Sequence, residues 1–286
     1  MDVQIYLLNG FVWGTAIALV ALGLSLVFGL VEIINLAHGE LYMLGAVLSV
    51  YILALSNSFL ITVVVTPVIV GAIGLFIERF VLRKIEKDPS ATLIATFGLA
   101  MFLQYAVLWW FGGAPRRVSD PIGMSFSLGE INYPVYRLVI AAVSLMCFAL
   151  FHLFLSRTRY GLWMRSVGQD SELAASLGIP VARIFWITFG AGSLFAAIAG
   201  VMMAPVVAVE FKMGLDVLIL AFMASIIGGL GNLKGTFVAG ISIGIVESLL
   251  AIPLSPTYAH IALLVVVASV LAVRPQGLFS SRVVIT

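Results

Sequence analysis

Residues 156–183 read SRTRYGLWMRSVGQDSELAASLGIPVAR, the one long polar run in a chain that is otherwise nearly continuous apolar sequence. The run carries Arg157, Arg159, Arg165 and Arg183 against Asp170 and Glu172. Inside it, the residues that start and stop a helix follow in order. Asp170 and Ser171 can accept hydrogen bonds from first-turn amides that have no partner within a helix. Glu172 complements the positive end of the helix dipole, and Ala174 and Ala175 favour helix. Gly178 can take the left-handed conformation that closes a helix, and Pro180 prevents it from resuming. A capped helix of about two turns is too short to be stable alone in water, so this one is expected to dock on another surface.

On both sides of this run the composition is that of a membrane protein. The 286 residues are 62% hydrophobic and 10% charged, with a mean hydropathy of +1.19, outside the range of a soluble domain. A net charge of +2 is too small to point to nucleic acid. Cys147 is the single cysteine and lies in an apolar run, so it reads as a core hydrophobe and no intrachain disulfide forms. The opening MDVQIYLLNG lacks the basic head and small-residue cleavage site of a signal peptide, and the first apolar segment is expected to be retained.

A bilayer core of about 30 Å takes roughly 20 apolar residues as helix. Segments 7–31, 59–82, 91–111, 135–155 and 184–209 meet that length, whereas 41–55, 218–230 and 237–254 are short, and 261–273 closes the hydrophobic part before the tail. The expectation is an all-α polytopic membrane protein of eight or nine segments, one transmembrane domain over residues 1–286 with a cytoplasmic loop at 156–183. Short cytoplasmic loops carry excess Lys and Arg. The basic residues near 79–87, in 156–183, at Lys234 and in the tail then put the N-terminus outside and the C-terminus in the cytoplasm. The loop with Arg116 and Arg117 is the exception.

Two places interrupt the spans. Residues 23–46, GLSLVFGLVEIINLAHGELYMLGA, set Glu32, Asn35, His38 and Glu40 between apolar segments, with Gly29, Gly39 and Gly45 nearby. Ionisable groups next to a span are costly unless they face a cavity or a partner. Two readings stay open: an ordinary cytoplasmic turn, or a broken helix whose N-terminal half-helix faces a solute path. Residues 219–249, ILAFMASIIGGLGNLKGTFVAGISIGIVESL, hold the second interruption, and Asn232-Leu233-Lys234-Gly235 loosely echoes Asn35-Leu36-x-His38-Gly39. Paired short, glycine-interrupted segments point to a substrate pathway; its candidates are Asn35, His38, Gly39, Glu40, Asn232 and Glu247. Gln104, His152 and His260 read equally as helix-end or interhelical polar groups. Gly10/Gly14 and Gly240/Gly244 permit close helix packing.

GGLGNLKGT is not a phosphate loop, because Leu233 stands where glycine must precede the lysine and no strand leads into it. No metal-spaced His/Cys cluster and no serine elbow occur, so no cofactor or metal is expected on this chain and no enzyme activity of its own. Energy for uphill transport must come from a partner or an ion gradient.

Taken together, NLAHGELYMLGA (35–46), RTRYGLWMRSVGQDSELAASLGI (157–179), GGLGNLKGTFVAG (228–240) and RPQGLF (274–279) resemble the branched-chain amino acid ABC-transporter permeases of the LivH type. The resemblance covers most of the chain in order. It implies a permease subunit of a bacterial inner-membrane importer that moves amino acids by alternating access. The implied partners are a LivM-like second permease, two ATP-binding cassette subunits that hold the ATP, and a periplasmic substrate-binding protein. Glu172-Leu173-Ala174 and Gly178 look like the EAA-x-x-x-G coupling signature, with Leu173 departing from its middle alanine and its later part incomplete. The coupling set is Arg165, Asp170, Ser171, Glu172, Ala174 and Gly178. The alternative is a stand-alone proton-coupled transporter using Glu247, Glu32 or His38.

Overall fold

The computed structural model describes residues 3–31, 34–85, 88–128, 131–274 and 277–279. Glu32, one of the candidate proton-linked groups, lies outside the described residues. Helix α1 (Val3–Val31) carries no charged residue and is apolar on all sides, the pattern of a helix surrounded by others. Almost every residue from Val12 to Leu30 is buried, and α1 is the axis of the molecule.

Its closest partner is α10 (Leu233–Leu250). A Cβ on Gly14 would lie 2.6 Å from the Ile241 carbonyl oxygen, one on Gly244 would lie 2.3 Å from the Gly14 Cα, and one on Gly240 would lie 2.6 Å from the Ala18 Cα. No side chain fits at those distances. The two glycine pairs singled out in the sequence therefore mate with each other, giving the backbone-to-backbone approach on which helix association in lipid relies.

Around the rest of α1 stand α8 (Val181–Met203) and α9 (Met213–Gly228), with α2 (His38–Ser56) and α3 (Phe59–Phe80) packed on α8. The helices α4 (Pro89–Phe111), α5 (Val135–Arg157) and α11 (Pro256–Val273), with the outer face of α3, present large apolar side chains such as Trp109, Leu60 and Val265 to the exterior. That is the expected surface of a protein whose solvent is lipid. Asp88 starts α4 by accepting hydrogen bonds from the Ser90 and Ala91 amides, with Pro89 at the first helical position.

Among the described residues, seven helices are long and apolar enough to cross a membrane, and Met213–Gly228 and Thr257–Val273 are shorter apolar helices. The fold is all-α, as expected. The short segments lengthen because polar or glycine residues join their first turns: 41–55 becomes His38–Ser56, and 218–230 becomes Met213–Gly228. A small antiparallel hairpin, β1 (Ser125–Leu128) with β2 (Ile131–Pro134), and a bridge between Arg116 and Val209 lie outside that expectation.

The ends of the molecule are identifiable from contacts. Asn9, near the start of α1, accepts from the Tyr133 hydroxyl at 3.0 Å and from Arg137 at the start of α5. The other end of α5 leads into the polar run. Arg79, Arg83, Lys84, Arg157, Arg159, Arg165, Arg183, Lys234 and Arg274 gather at that second end, against Arg116, Arg117, Arg137 and Lys212 at the first.

Candidate functional site

The polar run folds as two helices, α6 (Arg159–Gln169) and α7 (Ser171–Ser176). Asp170 caps α7, its carboxylate accepting from the Leu173 amide at 2.8 Å; among the first-turn candidates this role falls to Asp170 and not to Ser171. Gly178 has φ +82°, and the Gly178 and Ile179 amides donate to the Ala175 and Ala174 carbonyls, both at 3.0 Å. This is the closing arrangement read from the sequence. Only Ala174 of α7 is buried, whereas Leu173 and Leu177 are 57% and 74% exposed and Glu172 is exposed.

What sequence reading missed is α6. Thr158 caps it by accepting from the Gly161 amide at 3.0 Å, and Gly161, Met164 and Val167 turn one face inward. The signal was available in their spacing of three residues. A Cβ on Gly161 would lie 2.3 Å from the Leu155 carbonyl oxygen, so α6 is pressed onto the end of α5 and holds α7 out as a knob. Arg165 is half-buried on α6. Beside the knob, Arg83 donates to the Ala182 carbonyl at 2.6 Å and to Glu78 at 3.2 Å, tying the end of α3 to the first turn of α8.

After the interruption that follows α1, α2 starts at His38. The His38 ring nitrogen Nε2 lies 3.1 Å from the Val20 carbonyl, so α2 begins partway along α1 and not beyond its end. Asn35 turns the chain there, its Oδ1 accepting from the Ala37 amide at 3.0 Å. The first turn of α9 meets the first turn of α2 at the same place: a Cβ on Gly39 would lie 2.2 Å from the Gly214 carbonyl oxygen, and one on Gly214 would lie 2.9 Å from Glu40 Oε2. Asn35 Nδ2, Glu40 Oε2 and the Tyr42 hydroxyl are buried without a hydrogen-bond partner among the described residues. An unmet buried polar group costs about 1–3 kcal/mol. Three on one short segment mark a place kept polar for a reason other than stability.

Next to this junction, toward the start of α1, lies a cleft of about 570 Å³ lined by Trp13, Tyr42, Glu210, Asp216, Glu247 and His260, with apolar walls from Val217 and Leu220. Glu247 accepts from the Trp13 indole at 3.0 Å, and its other oxygen lies 3.0 Å from His260 Nδ1. Among the described residues, no three His, Cys, Asp or Glu side chains converge as a metal site would require.

Residues 6–273 match the family of branched-chain amino acid transport system permease components. The chain belongs to that family. The permease is similar to the high-affinity branched-chain amino acid transport system permease protein LivH of Escherichia coli K12, with 29% identity over 94% of this chain and 93% of the relative. It is likewise similar to the permease protein BraD of Pseudomonas aeruginosa, with 30% identity over 95% and 94%. A chain of the solved PsaBC complex of Streptococcus pneumoniae with a Fab aligns over 92% of the permease and 88% of that chain, at 14% identity and a TM-score of 0.49. By its family and its membrane-length apolar helices, the permease is an all-α, multi-pass transport protein of the membrane.

The pathway candidates divide in the permease. Asn35, His38, Gly39 and Glu40 come together at the α2–α9 junction, and Glu247 stands in the adjoining cleft. Asn232 does not join them. It caps α10 at the knob end, accepting from the Gly235 amide at 3.0 Å and donating to the Phe279 carbonyl at 2.7 Å. Its polar atoms are occupied in closing a turn and holding the tail. Tyr42 and Trp13 belong to the cleft, and no spacing signal links them to Glu247 along the chain.

Proposed function

We propose that this permease is the membrane-spanning subunit of an ABC importer for branched-chain or related small amino acids, alternating its access in step with ATP hydrolysis on partner subunits. The observation that carries this reading is the knob. A six-residue helix capped at both ends, with Leu173 and Leu177 uncovered, has no means of stability except the surfaces it touches. A self-contained carrier has no use for such an element; a subunit gripped by a motor does. The knob leads directly into α8 on one side and through α6 into α5 on the other, and α5 and α8 are each 23 residues long. Arg83 extends the connection to α3.

On this reading the knob end, rich in arginine and lysine, faces the cytoplasm of a bacterium across its inner membrane, with the N-terminus outside and the C-terminus inside. ATP is held by two ATP-binding cassette subunits, substrate is delivered by a periplasmic binding protein, and a second homologous permease completes the pathway. Solute passes by the broken start of α2, at Asn35, His38, Gly39 and Glu40.

The test is Glu172→Lys and Gly178→Pro in the assembled importer, read as pull-down of the ATPase subunits and as substrate-stimulated ATPase activity. Assembly is retained and stimulation falls at least tenfold. Unchanged stimulation in both variants removes the coupling role. Uptake driven by a proton gradient in this chain alone replaces the importer reading with a secondary transporter.

A further inference from the structure

We infer that the cleft between α1, α2, α9, α10 and α11 is a receiving site for a primary ammonium group, with Glu247 as the counter-charge and Tyr42 as a neutral hydrogen-bond acceptor at its floor. The inference rests on the importer reading and names the end of the solute that this subunit recognises.

Among the described residues, the lining supplies three carboxylates, Glu210, Asp216 and Glu247, and no lysine or arginine; His260 contributes an ionisable nitrogen to the wall. Such a lining attracts a cation and repels a carboxylate. Glu247 is held in place on both oxygens, by the Trp13 indole and the His260 ring. Each carboxylate oxygen has a second lone pair, so a fixed Glu247 can still accept from a third donor. Tyr42 provides the independent observation. It is 1% exposed and lines the cleft, and its hydroxyl has no hydrogen-bond partner among the described residues. A buried hydroxyl on a cavity floor that no described residue satisfies is available to a ligand N–H.

The ligand is an amine and not a metal ion, because among the described residues the carboxylates do not converge as a metal site would require. Val217, Leu220 and Ile261 give the same cleft an apolar wall for an aliphatic side chain. A volume of about 570 Å³ is that of a small-molecule pocket.

The permease–ATPase complex in lipid nanodiscs, without binding protein, is titrated with leucine, with leucinol, which keeps the amine and lacks the carboxylate, and with 4-methylpentanoate, which lacks the amine. Saturation-transfer NMR reads binding. Leucine and leucinol give transfer that Glu247→Gln weakens at least tenfold, the loss expected of a charged hydrogen bond. The isosteric Tyr42→Phe weakens it several-fold, and 4-methylpentanoate gives none. Equal transfer from 4-methylpentanoate, absence of transfer from both amines, or unchanged affinity in Glu247→Gln and Tyr42→Phe overturns the inference. Should Glu247→Gln fail to assemble, Tyr42→Phe with Glu210→Gln decides alone. ATP-dependent uptake by the complete wild-type importer is measured in parallel: uptake without amine binding defeats this inference only, and no uptake with the partners present defeats the importer reading itself.

Discussion

Replacing Gly39 by alanine tests the α2–α9 junction directly. The added Cβ would sit 2.2 Å from the Gly214 carbonyl oxygen and 2.7 Å from the Leu218 Cβ, whereas ordinary contact begins at 3.4 Å. The two helix starts must then separate by 3.4 − 2.2 = 1.2 Å. Neither neighbour is the far end of a flexible side chain, so the strain cannot be relieved by a rotamer change. Overpacking of this kind costs about 1–3 kcal/mol, and a backbone contact belongs at the upper end. Alanine recovers about 0.5–1 kcal/mol of helix propensity over glycine, which leaves a net loss of about 2 kcal/mol. Gly98 on α4 is the control, because a Cβ there meets nothing within 4 Å. Gly98→Ala should stabilise by about 0.5–1 kcal/mol. The assay is thermal unfolding of the purified chain in detergent, followed by a thiol-reactive fluorophore on Cys147, the single cysteine. The order of midpoints is Gly98→Ala at or above wild type, with Gly39→Ala clearly below. Coincident midpoints, or a larger loss at Gly98, would refute the close approach of α2 and α9.

At Gly178 the backbone has φ +82° with open space around it, so Gly178→Ala carries only the left-handed penalty of about 1–2 kcal/mol. Amide exchange at residues 177–179 should accelerate about tenfold or more while the spans stay protected, and slow exchange there would show that the knob does not depend on that turn. Asn232→Ala removes the α10 cap, at about 1 kcal/mol, together with the hydrogen bond to Phe279. Limited proteolysis should then cut the tail faster. An unchanged rate would mean that the Leu278 amide, which donates to the Ile227 carbonyl at 2.7 Å, holds the tail by itself.

The composition and the lengths of the apolar runs were enough to read an all-helical membrane protein, because a bilayer demands both apolar side chains and satisfied backbone groups. The knob was equally legible. Asp170, Gly178 and Pro180 act on their immediate neighbours, and a cap needs nothing from the rest of the chain. The glycine pairs at 10/14 and 240/244 were visible as sites of close approach.

That those two pairs mate with each other was decided only when α1 and α10 came side by side. Tertiary structure likewise settled where α2 begins. Residues 35–40 suit a turn or a broken helix by local rules, and the depth at which α2 starts depends on the Val20 carbonyl and Gly214, which lie elsewhere in the chain. The cleft follows the same logic. Trp13, Tyr42, Glu247 and His260 stand on four different helices, and no periodicity or spacing brings them together. Local physics is written along the chain within a few residues; a site assembled from distant helices exists only once packing has set their depth and rotation.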